Sequence, residues 1–262
     1  MNSKLLHCCG SLLTGVMTLV LTTPFDSSAW AKDIWIAAAG SGCKAWSDEP
    51  LKPGESLQWN GGCADGRLDG KGVANIVARG KPVLSFEGTM REGKAQGPGE
   101  LEMTDKQGTT RYTGGFADSR LDGYGVLQLA DGGVYEGGFK NDKPDGYGVY
   151  KGKAGTLYQG DIRNGVPDGS GYLALPNGER YQGEFKKGRR HGKGTLLFPT
   201  GGVYEGEFVD GKAHGSGVFK RPNGDVYRAT WKHGKADGPA ELTRADGTRE
   251  TQTWKNDKRV QP

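Results

Sequence analysis

The sequence predicts an all-β fold: an elongated, single-layer antiparallel sheet of tandem 23-residue β-hairpin repeats. Three observations predict it. An aromatic residue reopens the same pattern every 23 residues, at Tyr112, Tyr135, Tyr158, Tyr181, Tyr204 and Tyr227. Within each copy the residues alternate with the period of a strand, so that Tyr181, Gly183 and Phe185 share one face while Gln182 and Glu184 take the other. Turn-forming dipeptides then recur between the strands, at Asp131-Gly132, Asn177-Gly178, Thr200-Gly201, Asn223-Gly224 and Asp246-Gly247, where they are expected to supply the positive φ angles of tight connections.

Residues 1–31 precede this pattern and read as a secretory signal peptide. Lys4 opens it, Ser11 to Thr23 is an apolar run, and Ala29-Trp30-Ala31 fits a small-x-small cleavage site. An uncleaved membrane anchor is the other reading, although the run falls short of the ~20 residues a span needs. The signal reading places the mature chain outside the cytoplasm, periplasmic or secreted, and disfavours nucleic acid as a partner.

Residues 32–56 are expected to cap the first hairpin. An exported chain would retain Cys43 and Cys63, an even number in an oxidising compartment, which favours a disulfide between them; two unpaired buried thiols are the alternative.

The repeat domain spans residues 57–258, with eight units and a C-terminal remnant at Trp254, followed by a short tail at 259–262. Two neighbouring units match at every motif position: Tyr181, Gly183, Phe185, Gly188, His191, Gly192 and Gly194 repeat as Tyr204, Gly206, Phe208, Gly211, His214, Gly215 and Gly217. Looser copies open at Trp59 and Phe86, with Cys63 and Met90 in the phenylalanine slot, as terminal units of an array tend to be. Glycine makes up 47 of 262 residues and hydrophobics only 34%, a composition that without the period would suggest disorder. With strands about 4.8 Å apart, each hairpin adds roughly 10 Å.

This pattern resembles the membrane occupation and recognition nexus, or MORN, repeat family, over roughly residues 57–258. The resemblance implies hairpin units, scaffolding, capture of partner segments in a groove along the sheet, and association with phospholipid. The rings that would line such a groove are Tyr112, Phe116, Tyr135, Phe139, Tyr158, Tyr181, Phe185, Tyr204, Phe208, Tyr227 and Trp231. Their principal role is to pack along the sheet, with a partly open groove as an added function.

No constellation points to catalysis. His191 and His214 occupy one motif position in adjacent units, ~10 Å apart and too far to share a metal ion. The glycine-rich turns lack the lysine and helix of a phosphate loop, and no cofactor is implied. A basic residue recurs eight positions after each opening aromatic, at Arg67, Lys94, Arg120, Lys143, Arg189, Lys212, Lys235 and Lys258, interrupted by Val166. One stretch looks uncompensated: Lys186, Lys187, Arg189, Arg190 and Lys193 carry five positive charges with no acid among them, a candidate for an anionic ligand. The expected function is a non-enzymatic scaffold of the cell envelope that docks a protein partner on the repeat groove. The alternative is a binder of anionic phospholipid or polysaccharide through residues 186–193.

Overall fold

A computed structural model describes residues 33–260, so the expected leader at 1–31 lies outside the described residues. The chain divides into two compact units, up to Gly148 and from Val149. In the first, the strands are β1 (Ile34–Ala37), β2 (Lys44–Ser47), β3 (Glu55–Trp59), β4 (Gly62–Ala64), β5 (Arg67–Ala78), β6 (Lys81–Arg91), β7 (Lys94–Asp105), β8 (Gly108–Ala117), β9 (Arg120–Gln128) and β10 (Val134–Lys140), with β11 (Lys143–Lys151) carrying the boundary. The second holds β12 (Leu157–Arg163), β13 (Val166–Ala174), β14 (Arg180–Lys186), β15 (Arg189–Leu197), β16 (Val203–Val209), β17 (Lys212–Lys220), β18 (Val226–Lys232), β19 (Lys235–Thr243), β20 (Arg249–Lys255) and β21 (Lys258–Val260). All regular elements among the described residues are strands.

Within each unit the sequence-adjacent strands pair antiparallel, from β5 through β10 in one and from β12 through β21 in the other. Arg259 and Val260 belong to β21 and pair with Trp254 and Thr253.

The cap is the one departure from the meander. Strands β1 and β2 form a small hairpin, with Trp35 opposite Trp46. Parallel pairs, Lys44 with Arg67 and Ala38 with Leu57, join it to the first repeat. Cys43 and Cys63 are disulfide-bonded, with Cα atoms 6.1 Å apart, and Cys63 faces Leu68 as Phe116 faces Leu121 in a complete repeat. The bond therefore fastens the cap in a slot where other units place a ring.

The turns differ from expectation. Left-handed residues come in pairs within each repeat, at Asn141-Asp142 (φ 48° and 70°), Lys187-Gly188 (50° and 78°) and Asp210-Gly211 (49° and 84°). These are the two-residue hairpin turns. The Asp131-Gly132 and Asn177-Gly178 class lies between repeats, and there only the glycine has positive φ, 91° at both Gly132 and Gly178. The Leu129 amide closes onto the Gly133 carbonyl across three residues, and the Asp131 carboxylate accepts the Gly133 amide at 2.8 Å. An aspartate or asparagine before the glycine thus serves as a side-chain acceptor within a three-residue loop.

Six hairpins among the described residues also contain a bulge that the sequence did not suggest. The ladder shifts between Gly183 and Glu184, so that His191, Gly192, Lys193 and Gly194 are taken up against two residues. Gly192 sits at φ 57°, a conformation that a side chain disfavours. The tyrosine ring covers the same region. A Cβ added to Gly194 would lie 2.4 Å from the Tyr181 hydroxyl oxygen, so that oxygen reaches over bare backbone and donates to the Glu184 carbonyl at 2.9 Å. Tyr112, Tyr135, Tyr158 and Tyr204 repeat the bond to Gly115, Gly138, Asp161 and Glu207. Each buried phenol is thereby satisfied by the backbone of its own hairpin.

Successive turns interlock along the edge. The Gly188, Gly211 and Gly234 amides donate to Pro167, Arg190 and Ala213 of the preceding repeat at 2.7–2.9 Å. Asp69, Asp168 and Asp237 accept the turn amides of Glu92, Lys187 and Asn256. The recurring aspartate is a register pin between neighbouring hairpins.

Candidate functional site

The sheet presents two chemically different faces. On the aromatic face Tyr112, Phe116, Tyr135, Phe139, Tyr158, Tyr181, Phe185, Tyr204 and Phe208 are all buried. Within each unit rings meet edge to face: Tyr112 lies 5.3 Å from Phe116 and 5.0 Å from Phe139, and Tyr181 lies 5.1 Å from both Phe185 and Phe208. Only Tyr227 and Trp231 of the expected set are half-buried. The expectation of a partly open aromatic groove is therefore corrected. At the nine buried rings the tyrosines fold down over glycine and an apolar side chain of the next repeat fills the remaining gap, while Tyr227 and Trp231 stay partly exposed.

Burial also governs their chemistry. The phenols of Tyr112, Tyr181 and Tyr204 are pushed up to about 12, because the phenolate loses water in this layer. Tyr135 is raised for the same reason.

The basic run is dispersed rather than concentrated. Arg190 points onto the aromatic face, into the position that Leu68, Leu121 and Ala213 fill in other repeats, stacks 5.4 Å from the Tyr181 ring and pairs with Glu179. Arg189 faces the next turn and lies 3.8 Å from Asp210. The supposed absence of acids is thus corrected for two of the five charges. Lys186, Lys187 and Lys193 have no ion pair among the described residues. The wider basic ridge follows the same rule, with Arg67 beside Glu92 at 3.9 Å and Lys94 beside Asp118 at 4.0 Å. Arg67, Lys94 and Arg189 thus each meet an acid of the following turn, which sequence order alone does not place there.

The opposite face carries a feature that the motif obscured. Tyr124 and Tyr147 are 64% and 57% exposed, the large aromatics that stand in solvent among the described residues. They occupy one slot in consecutive repeats, where other copies hold Lys71, Pro98, Ser170, Lys193, Ser216 and Pro239. Aligning that slot shows the exception, but it lies outside the fixed motif positions. Tyr124 sits beside Gly138 across the ladder, where no side chain crowds it, and its hydroxyl donates to Glu136 at 2.6 Å. With one strand between them, the two rings are about 10 Å apart.

A second row runs alongside. Glu87 faces Glu100, Glu100 faces Thr113, Thr113 faces Val126, and Val126 faces Glu136. All three carboxylates are exposed, and none is in an ion pair among the described residues. Glu102, one row over, is paired with Arg111 at 2.9 Å.

His191 and His214 stay in separate strands, β15 and β17. His214 packs 5.7 Å from His233, and its Nδ1 is buried without a hydrogen-bond partner. Among the described residues no three histidine, cysteine or carboxylate side chains converge as a metal site.

Comparison with known proteins follows this geometry. Solved structures that resemble the chain include the TCP10 domain of CPAP from Danio rerio, at 15% identity and a TM-score of 0.39, covering 81% of this chain and 99% of that one. Another is the TCP domain of SAS-4 from Drosophila melanogaster, in complex with a proline-rich motif of Ana2, at 15% identity and a TM-score of 0.36, covering 59% and 90%. No curated protein matches. The MORN repeat family model matches seven times, at residues 86–106, 112–134, 135–157, 158–180, 181–203, 204–226 and 227–249. By these matches over more than half of its length, and by the tyrosine-over-glycine hairpins that they correspond to, the chain belongs to the MORN repeat family.

Proposed function

We propose that this chain is a non-enzymatic scaffold of the cell envelope that docks a protein partner on the polar face of its first compact unit, at Tyr124 and Tyr147. One observation carries the reading. In a fold that buries most of its repeat tyrosines, two tyrosines of consecutive hairpins are instead more than half exposed on the opposite face. Exposed, rigid aromatic side chains with a polar tip are favoured anchors of protein interfaces. Membership of the MORN family adds support, and the leader-like residues 1–31 support an exported setting.

The test places a photo-crosslinking residue at Thr113, between the carboxylates and beside the tyrosine row, and exposes the mature chain to its own envelope extract. A discrete adduct that disappears in Y124A/Y147A, with the melting curve preserved, supports the reading. An adduct that survives the double substitution, or that forms equally from a position on β17, contradicts it.

A further inference from the structure

The chemistry of the polar face goes further and names the class of partner. Resting on the docking reading above, we infer that Tyr124 and Tyr147, with Glu87, Glu100 and Glu136, form a binding strip for an extended, arginine- or lysine-rich segment of a partner protein.

Charge decides the occupant. The row from Glu87 to Glu136 crosses five consecutive strands and holds three exposed carboxylates with no cation in it. At about 4.8 Å per strand the row spans about 19 Å, and every position along it lies within about 5 Å of one of the three carboxylates, inside a Debye length, so a cationic ligand is favoured along its course. Phosphate, anionic lipid and nucleic acid are repelled by the same row.

The aromatic row supplies the second contact. The two rows are about 6.8 Å apart on this sheet, the spacing of residues two apart along a strand, and an extended segment lying across the strands between them directs alternate side chains to one row and to the other. A segment crossing the hairpins can therefore set cationic groups over the faces of Tyr124 and Tyr147 while others meet the carboxylates beside them. Guanidinium suits both contacts, being planar for the ring and forked for the carboxylate. The Tyr124 hydroxyl bond to Glu136 joins the rows and positions that carboxylate at 2.6 Å from the ring's polar tip.

No equivalent strip exists in the neighbouring slots of the second unit. There the tyrosine slot holds Ser170, Lys193 and Ser216, and Lys193 faces Glu207. Glu205 is paired with Lys220 at 2.8 Å. The second unit thus provides an internal control with the same backbone and different chemistry.

The experiment titrates the mature chain with three labelled twelve-residue peptides, read by fluorescence anisotropy. One alternates arginine with serine, one alternates glutamate with serine, and one is rich in proline and uncharged. The arginine peptide is expected to bind, weakening at least about tenfold as the Debye length shrinks from about 10 Å to about 3 Å with added salt. Y124A/Y147A is expected to weaken it at least about tenfold at fixed salt. E87Q/E100Q/E136Q, which keeps the shape of the row, is expected to remove most of the salt dependence. The inference is overturned if the glutamate or proline peptide binds equally well, if the arginine peptide fails to bind, or if neither variant weakens it. Should the arginine peptide fail while the Thr113 crosslink still depends on the two tyrosines, the docking reading stands and the cationic class falls.

Discussion

The Tyr181 side chain occupies the space that a side chain on Gly194 would need, its hydroxyl oxygen 2.4 Å from the Cβ that an alanine would add. The glycine is therefore a steric requirement of the ring, set by the strand that faces it. Gly194→Ala is expected to destabilise the chain by about 1–3 kcal/mol through overpacking. Tyr181→Phe, which removes only the bond to the Glu184 carbonyl, is expected to cost about 1 kcal/mol. Urea denaturation of G194A, Y181F, Y181A and Y181A/G194A checks the account: the glycine substitution loses most of its cost between Y181A and the double variant, once the ring is gone.

Burial of the repeat tyrosines predicts an alkaline transition. Phenols raised to about 12 in the fold have an ordinary value of 10.0. The folded state therefore holds its protons above pH 10 while the unfolded chain releases them. Stability is intact below pH 10 and is lost as pH rises towards 12. Circular dichroism and phenolate absorbance, followed together, should show ionisation and unfolding in one cooperative step.

Arg190 and Glu179 form a pair whose side chains are each 19% exposed, on a face that is otherwise aromatic and aliphatic. Removing one partner leaves the other charge poorly solvated, so R190L alone is expected to cost about 1–3 kcal/mol. R190L/E179T gives the pair's positions the residue types of Leu121 and Thr156 and is expected to be neutral or stabilising. Denaturation midpoints of the two variants distinguish the cases.

Much of the fold was legible because a repeat multiplies each local signal: the 23-residue period, the two-sided strands and the hairpins all follow from positions such as Tyr181, Gly183 and Phe185. The turn chemistry was not fully legible. Asn177-Gly178 has the composition of a two-residue turn, yet the loop also includes a third residue and needs one left-handed position. The bulge at Gly192 was hidden because a glycine required by φ and a glycine required by a ring look identical in sequence. The closed aromatic face was missed for a related reason: alternation shows which residues share a face, but not that each tyrosine lies down over Gly194 and its equivalents. Partnering of Arg189 by Asp210, 21 residues on, depends on successive turns stacking in register. Tyr124 and Tyr147 were visible as exceptions in one slot, but only a face left in water gives that exception a meaning.

The disulfide predicts a local effect. Cys43 and Cys63 are separated by 20 residues, a closure worth roughly 3 kcal/mol on the chain-entropy estimate. C43S/C63S is expected to raise hydrogen exchange in β1 to β5 by a corresponding factor and to leave β12 to β20 unchanged. Exchange mass spectrometry reads both regions in one sample.

The central claim is that the ring ladder is structural and that recognition takes place at the two tyrosines on the other face. Hydroxyl-radical footprinting of the mature chain, alone and saturated with its captured partner, tests it directly. The account predicts that Tyr124 and Tyr147 are oxidised readily in the free chain and protected in the complex, while Tyr112, Tyr135, Tyr181 and Tyr204 resist oxidation in both. Protection appearing at the ladder tyrosines, with Tyr124 and Tyr147 equally reactive in both samples, would contradict it.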